Sequence, residues 1–264
     1  MDIKTIIGID AASLPENIGL AMATFDGGEW NLIEYCTGKR ENRWPTTTSA
    51  LFSASNPVDI LKDWIETRKN EGAVLLAIDA PLGWPDEMRI KLPIHTAGNQ
   101  LSSLPSDNVF MRETDRFINK ILRKKPLSIG ADKIARASHI TLQNLNNLRT
   151  ATGLPIPLNW TPSNTTNDPV SAIEAYPTAT LYAYKIKTSS KKANQDDYIK
   201  RINEELFPSL TRLSFPTTFT CPKVDHITDA IICVCAGIDF ISGHVHVPTS
   251  PTAYSEGWIW VRKN

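Results

Sequence analysis

AVLLAID, residues 73–79, is the stretch on which the architecture turns. Six apolar residues run unbroken into Asp79, and Pro81 stops the run two positions later. A short apolar run without alternation is the signature of a strand covered on both faces. The preceding residues read as a helix. Asn56 stands at the N-cap with Pro57 at the first helical position, Val58, Leu61, Trp64 and Ile65 recur at helical spacing, and Gly72 closes the segment. Ahead of the helix lie three strand candidates: Thr5–Asp10 (TIIGID), Ile18–Phe25 and Trp30–Cys36, the last two joined across Asp26-Gly27-Gly28, a strong turn signal. A helix between two buried strands implies a parallel crossover. The opening is therefore an antiparallel three-strand meander followed by helix and strand.

Downstream, residues 84–107 are irregular, Asn108–Lys125 and Ala131–Thr150 read as helices, and 153–169 read as a loop holding four prolines and the polar stretch Ser163–Asp168. Residues 84–169 are expected to form an insertion over one end of the sheet, inside one domain spanning 1–264. Val170–Tyr176 reads as a strand stopped by Pro177, and Thr178–Lys187 and Gln195–Phe207 as helices. Lys185–Lys192 reads as a basic link. Asp225–Ile241 reads as a long apolar helix packed on the sheet, and Gly257–Val261 (GWIWV) as a last strand.

The chain has 264 residues, 41% apolar and 21% charged, with Lys plus Arg and Asp plus Glu at 28 each. A formal charge of zero leaves no global basic excess, so any nucleic-acid contact must rest on local positive charge. Arg123, Lys124 and Lys125, with Lys120, form the most basic stretch. There is no run of eighteen apolar residues, and Met1-Asp2-Ile3-Lys4 leads straight into a strand-like run without signal-peptide features. A cytoplasmic protein with no membrane association is expected. Cysteines at 36, 221, 233 and 235 contain no CxxC pair, which argues against structural zinc and a disulfide framework. No GxxxxGKS or GxGxxG phosphate loop is present.

Three strand candidates end on or near an acid: Asp10, Asp79 and Glu174. Ligands of open α/β sheets bind outside the carboxyl ends of the strands. Asp10 and Asp79, if on neighbouring strands, would lie roughly 5 Å apart and repel unless a cation or proton separates them. Hard oxygen ligands suit Mg²⁺ or Mn²⁺. Asp225 and Asp229 are i and i+4 on one helical face, and Asp229 precedes the apolar run AIICVCAGI, where a lone charge costs several kcal/mol. Asp225 also suits a first-turn acid. His226 neighbours both and suits a proton shuttle or a surface residue beside a cap.

GIDAAS (8–13), AIDAPLGWP (77–85), RETDR (112–116), EAYPTATLY (174–182) and DHITDAIICVCAG (225–237) occur in this order. Together they resemble the DUF429 family, described as predicted ribonuclease-H-like nucleases. The resemblance implies an α/β fold of that class: a mixed sheet in which a three-strand antiparallel meander joins parallel strands, flanked by helices and carrying a helical insertion, with the first strand beside the fourth. Carried over motif by motif, it implies metal ligation by Asp10, Asp79, Glu174, Asp225 and Asp229, with Asp10, Asp79, Glu174 and Asp229 catalytic.

The corresponding expectation is hydrolysis of a phosphodiester in DNA or RNA, with two Mg²⁺ or Mn²⁺ ions roughly 4 Å apart, one activating water and the other stabilising the leaving oxygen. Arg112 and Arg116, i and i+4, would meet phosphate oxygens. Two rivals stand beside this reading. One is a small-molecule kinase on the related actin-like sheet, although GIDAAS lacks the paired glycines of its phosphate turn. The other is a non-catalytic binding module using the same cleft.

Overall fold

A computed structural model describes residues 1–42, 44, 56–186, 195–209, 213–215, 219 and 224–263. Cys221 and residues 187–192 of the expected basic link lie outside them. The meander is present as β1 (Ile3–Asp10), β2 (Gly19–Asp26) and β3 (Glu29–Thr37), followed by α1 (Pro57–Arg68) and β4 (Ala73–Asp79). Asn56 caps α1 by accepting from the Asp59 N–H at 3.0 Å, with Pro57 at the first helical position. Four helices fill the next region: α2 (Asp86–Lys91), α3 (Ser106–Phe110), α4 (Glu113–Leu122) and α5 (Asp132–Thr152). Then come β5 (Val170–Glu174), α6 (Pro177–Ala183), α7 (Gln195–Arg201), a π-helical turn at Ile202–Leu206, α8 (Phe207–Ser209), β6 (Leu213–Ser214), α9 (Asp225–Ile241) and α10 (Ala253–Glu256).

The sheet order is β5-β4-β1-β2-β3-β6. β1 pairs antiparallel with β2 and parallel with β4, and β4 pairs parallel with β5. This is a mixed α/β sheet flanked by helices.

Strand alternation divides the core into two layers. Ile7, Ile9, Leu76 and Ile78 pack with Ile60, Leu61, Trp64 and Ile65 of α1 and with Leu145 and Leu148 of α5. Ile6, Leu75 and Ala77 pack on the opposite face, with α9. The approach of α9 is close because Gly8 and Gly19 have no side chain. A Cβ at Gly8 would collide with the Ala230 carbonyl, and one at Gly19 with the carbonyl of His226. The described cysteines, Cys36, Cys233 and Cys235, are buried. Among the described residues, no helix is long and apolar enough to cross a membrane.

Three expected elements differ. The helix over Asn108–Lys125 is two helices, because Met111 and Arg112 are extended (ψ 133° and 166°). The strand over Val170–Tyr176 stops at Glu174, since Tyr176 serves as N-cap of α6. Gly257–Val261 makes a single bridge, Ile259 to Glu174, with the Trp260 N–H donating to the Glu174 carbonyl at 3.0 Å.

The buried Glu256 carboxylate joins distant parts of the chain. One oxygen accepts from the Asp86 N–H at 2.8 Å and the other from the Glu113 N–H at 2.6 Å, the first residues of α2 and α4. Those N–H groups have no partner within their own helices, so one anion satisfies two helix starts.

Candidate active site at the carboxyl end of the sheet

The last paired residues of β1 and β4 are Asp10 and Asp79, aligned directly across the parallel ladder. In-register residues of parallel strands share a face, so both carboxylates belong to the α9 side, roughly 5 Å apart at the backbone. Repulsion across that spacing is reduced from α9. His226, in its first turn, places Nδ1 2.9 Å from Asp10 Oδ2. The hydrogen bond to Asp10 raises the His226 pKa, against the opposing effect of burial, with Asp10, Asp229 and Asp225 adding their charges. One turn on, Asp229 is 7% exposed, and the buried Tyr198 hydroxyl of α7 donates to its Oδ1 at 2.9 Å. Burial drives the Cys233 thiol well above its ordinary pKa, and Asp79, Asp10 and Asp229 add to the effect. The His226–Asp10 contact thus brings the first turns of α9, which carry Asp225 and Asp229, to Asp10, whose register partner is Asp79.

Glu174 stands apart from this group. Its register partner is Ile78, not Asp79, so strand alternation assigns it to the other face of the sheet. It is 3% exposed and both oxygens are engaged by Arg112, Oε1 with Nη2 at 2.7 Å and Oε2 with Nη1 at 2.8 Å, while the Leu82 N–H donates to Oε2 at 3.1 Å. Glu174, expected as a metal ligand, thus has both oxygens paired with a guanidinium. Arg112, expected to meet phosphate, is engaged in the same way. At 2% exposure it also binds Asp115, Nη2 to Oδ1 at 2.9 Å. Burial lowers the affinity of a guanidinium for its proton, yet Glu174 and Asp115 more than reverse that and raise it. Little of its surface is open to a ligand, since Glu174 and Asp115 occupy its donors. Arg116 is exposed and donates to the Met111 carbonyl at 2.6 Å. The two arginines do not share a helical face, because the helix starts only at Glu113 and the extended Arg112 turns inward.

A pocket of about 100 Å³ opens beside Asp79. Tyr176, Pro126, Leu127 and Ile134 line it, together with the Arg112–Glu174 pair. The basic stretch leads directly to this wall. Lys124 lies over the Tyr182 ring at 5.8 Å, and Lys125 pairs with Asp107 at 2.8 Å. Among the described residues, no three His, Cys, Asp or Glu side chains are grouped to hold a metal ion in the conformations adopted.

A family model of proteins of unknown function, DUF429, matches residues 8–253. The chain belongs to the DUF429 family. No curated protein matches it, and no solved structure does. In this DUF429 chain the family match extends from the start of GIDAAS to α10 and so includes the whole carboxylate group.

The Asp10–His226 contact gives a pH test. His226 binds its proton more tightly folded than unfolded, so the contact contributes stability fully below about pH 6.5 and loses it as pH rises through the higher folded value. For a half-exposed pair the expected size is about 0.5 kcal/mol. His226→Gln should therefore cost about 0.5 kcal/mol at pH 5.5 and close to nothing at pH 9, read by urea denaturation. Equal losses at both pH values would remove the ion pair from the account.

Proposed function

We propose that this DUF429 protein has a ribonuclease-H-like fold and is a divalent-metal-dependent hydrolase of phosphodiesters in nucleic acid. The observation that carries the proposal is the in-register placement of Asp10 and Asp79 at the carboxyl ends of adjacent parallel strands, with His226 of α9 against Asp10 and Asp229 one turn along the same helix. The architectural reading rests on the meander, the parallel crossover and the position of β1 between β2 and β4.

The residues present suit a hard cation. Mg²⁺ is commonly bound through one or two carboxylates, with water and substrate phosphate completing its shell, so a third protein ligand is not required. Asp10 and Asp79 would hold the ion, with Asp229 and Asp225 nearby. Mg²⁺ or Mn²⁺ would supply Lewis acidity and an activated water. With Glu174 committed to Arg112, the ligand set is smaller than the two-ion arrangement requires, and a single-ion site is the better reading. His226 shares a proton with Asp10 at Nδ1 and would present Nε2 for transfer to a leaving oxygen. Substrate phosphates would be met by Arg123, Lys124 and Lys125, which lead in sequence to Pro126 of the pocket wall, since the Arg112 guanidinium is taken by Glu174 and Asp115. The grouping of fewer than three ligands also suits the non-catalytic module, and metal titration separates the two readings.

The test is cleavage of single-stranded and duplex DNA and RNA in Mn²⁺, with Asp79→Asn as the key variant. The fold should persist, by circular dichroism, while the rate falls at least about 100-fold, the scale of a few kcal/mol of transition-state stabilisation. Undiminished cleavage by Asp79→Asn would refute the site.

A further inference from the structure

We infer that Tyr198 is a positioning residue of the hydrolytic site, acting through Asp229 to set how that carboxylate meets a divalent cation. The inference rests on the functional reading above. Tyr198 is 3% exposed and its hydroxyl donates to Asp229 Oδ1 at 2.9 Å. It comes from α7, an element outside the sheet ladder that reaches α9 through this contact. The helix changes register immediately afterwards, at the π-helical turn Ile202–Leu206, a feature often associated with functional sites.

A carboxylate near a cation has two ways to present its oxygens. A phenol hydroxyl fixed on one oxygen restricts the group's rotation and directs the remaining donor capacity, as outer-sphere hydrogen bonds do for metal ligands generally. The local sequence supports such a role. Asp229 is followed by the buried residues Ala230–Ile241, so the acid is held at the boundary between the acidic end of α9 and its apolar body. A hydrogen bond there determines which way the carboxylate faces.

The molecule contains its own structural control. Near the other end of α9, Tyr184 donates to Asp239, at 2.9 Å to Oδ1 and 3.1 Å to Oδ2, and Arg262 binds the same carboxylate at 2.6 Å. Both pairs join a tyrosine to a buried aspartate of α9, but only Tyr198 lies on the side of Asp10 and Asp79.

The experiment is Mn²⁺ binding to the full chain, followed by electron paramagnetic resonance of the free ion, for the natural protein, Tyr198→Phe, Tyr184→Phe and Asp79→Asn. Circular dichroism fixes a temperature at which each is folded. The expected result is a dissociation constant about 10-fold or more higher in Tyr198→Phe, no change in Tyr184→Phe, and loss of binding in Asp79→Asn. On an Asp229→Asn background, adding Tyr198→Phe should change nothing further, which a generalised loosening of the core would not reproduce. If Asp79→Asn abolishes binding while Tyr198→Phe leaves it unchanged, the role of Tyr198 is overturned and the metal site stands. If Tyr184→Phe weakens binding as much as Tyr198→Phe, the effect is global softening and the inference is likewise overturned. If the natural protein binds no Mn²⁺, the functional reading and this inference fall together.

Discussion

Replacing Arg112 with methionine is expected to destabilise the protein by about 4 kcal/mol, the cost of breaking a buried ion pair by removing one partner. The cause is what remains. Asp115 and Glu174 are both almost fully buried and would face each other across the vacated position without a counter-charge. For a chain of this size the loss corresponds to a fall in Tm of about 10 °C. The pH dependence has a defined sign. Burial already raises the Glu174 pKa, and with the guanidinium gone the main opposing charge is lost, so its folded value stands further above the unfolded one. Such groups favour folding only below the unfolded pKa and lose that contribution as pH rises. The variant should therefore come closest to the natural protein near pH 4 and fall furthest behind above pH 7. Adding Glu174→Gln should recover part of the loss at neutral pH. Differential scanning calorimetry across that range decides the matter, and a Tm unchanged at pH 7 would mean that the triad contributes nothing.

Gly8→Ala is expected to cost about 3 kcal/mol, at the upper end of ordinary overpacking. The added methyl would meet the Ala230 carbonyl, the Ala230 carbonyl carbon and the Val234 amide nitrogen, all backbone atoms of α9. Side chains can change rotamer, but a helix buried from Ile227 to Ile241 cannot yield locally. The expected signature is a lowered urea midpoint with the m-value retained. A variant as stable as the natural protein would show that α9 can lift from the sheet at little cost.

Much of the architecture was legible because its signals are local. The unbroken apolar runs ending at Asp10 and Asp79, the Asp26-Gly27-Gly28 turn and the Asn56-Pro57 start each report on neighbouring residues, and the structure places a strand end, a hairpin and a helix start there. The site was only half legible. That Asp10 and Asp79 end adjacent strands follows from topology, but whether Glu174 joins them depends on one residue of register, because alternation reverses the face at every step. RETDR has the spacing of a two-arginine helical face, yet the helix starts one residue after Arg112, and that arginine completes an ion pair 62 residues away. Tyr198 left no local mark, being 31 residues from the carboxylate it contacts. Contacts of this range are set by packing and carry no short-range pattern.

The carboxylate of Glu256 governs the order in which the molecule can be finished. It supplies the acceptor for helix starts 170 and 143 residues earlier in the chain. During synthesis from the N-terminus, the meander and α1–β4 can associate while α2 and α4 still expose unsatisfied amides to water. Those helices acquire their final anchor only after α9 has emerged and the segment beyond it has folded back. Both helix starts therefore wait on one of the last segments of the chain for this anchor, so a chain stopped short of Glu256 would leave two amides without their acceptor.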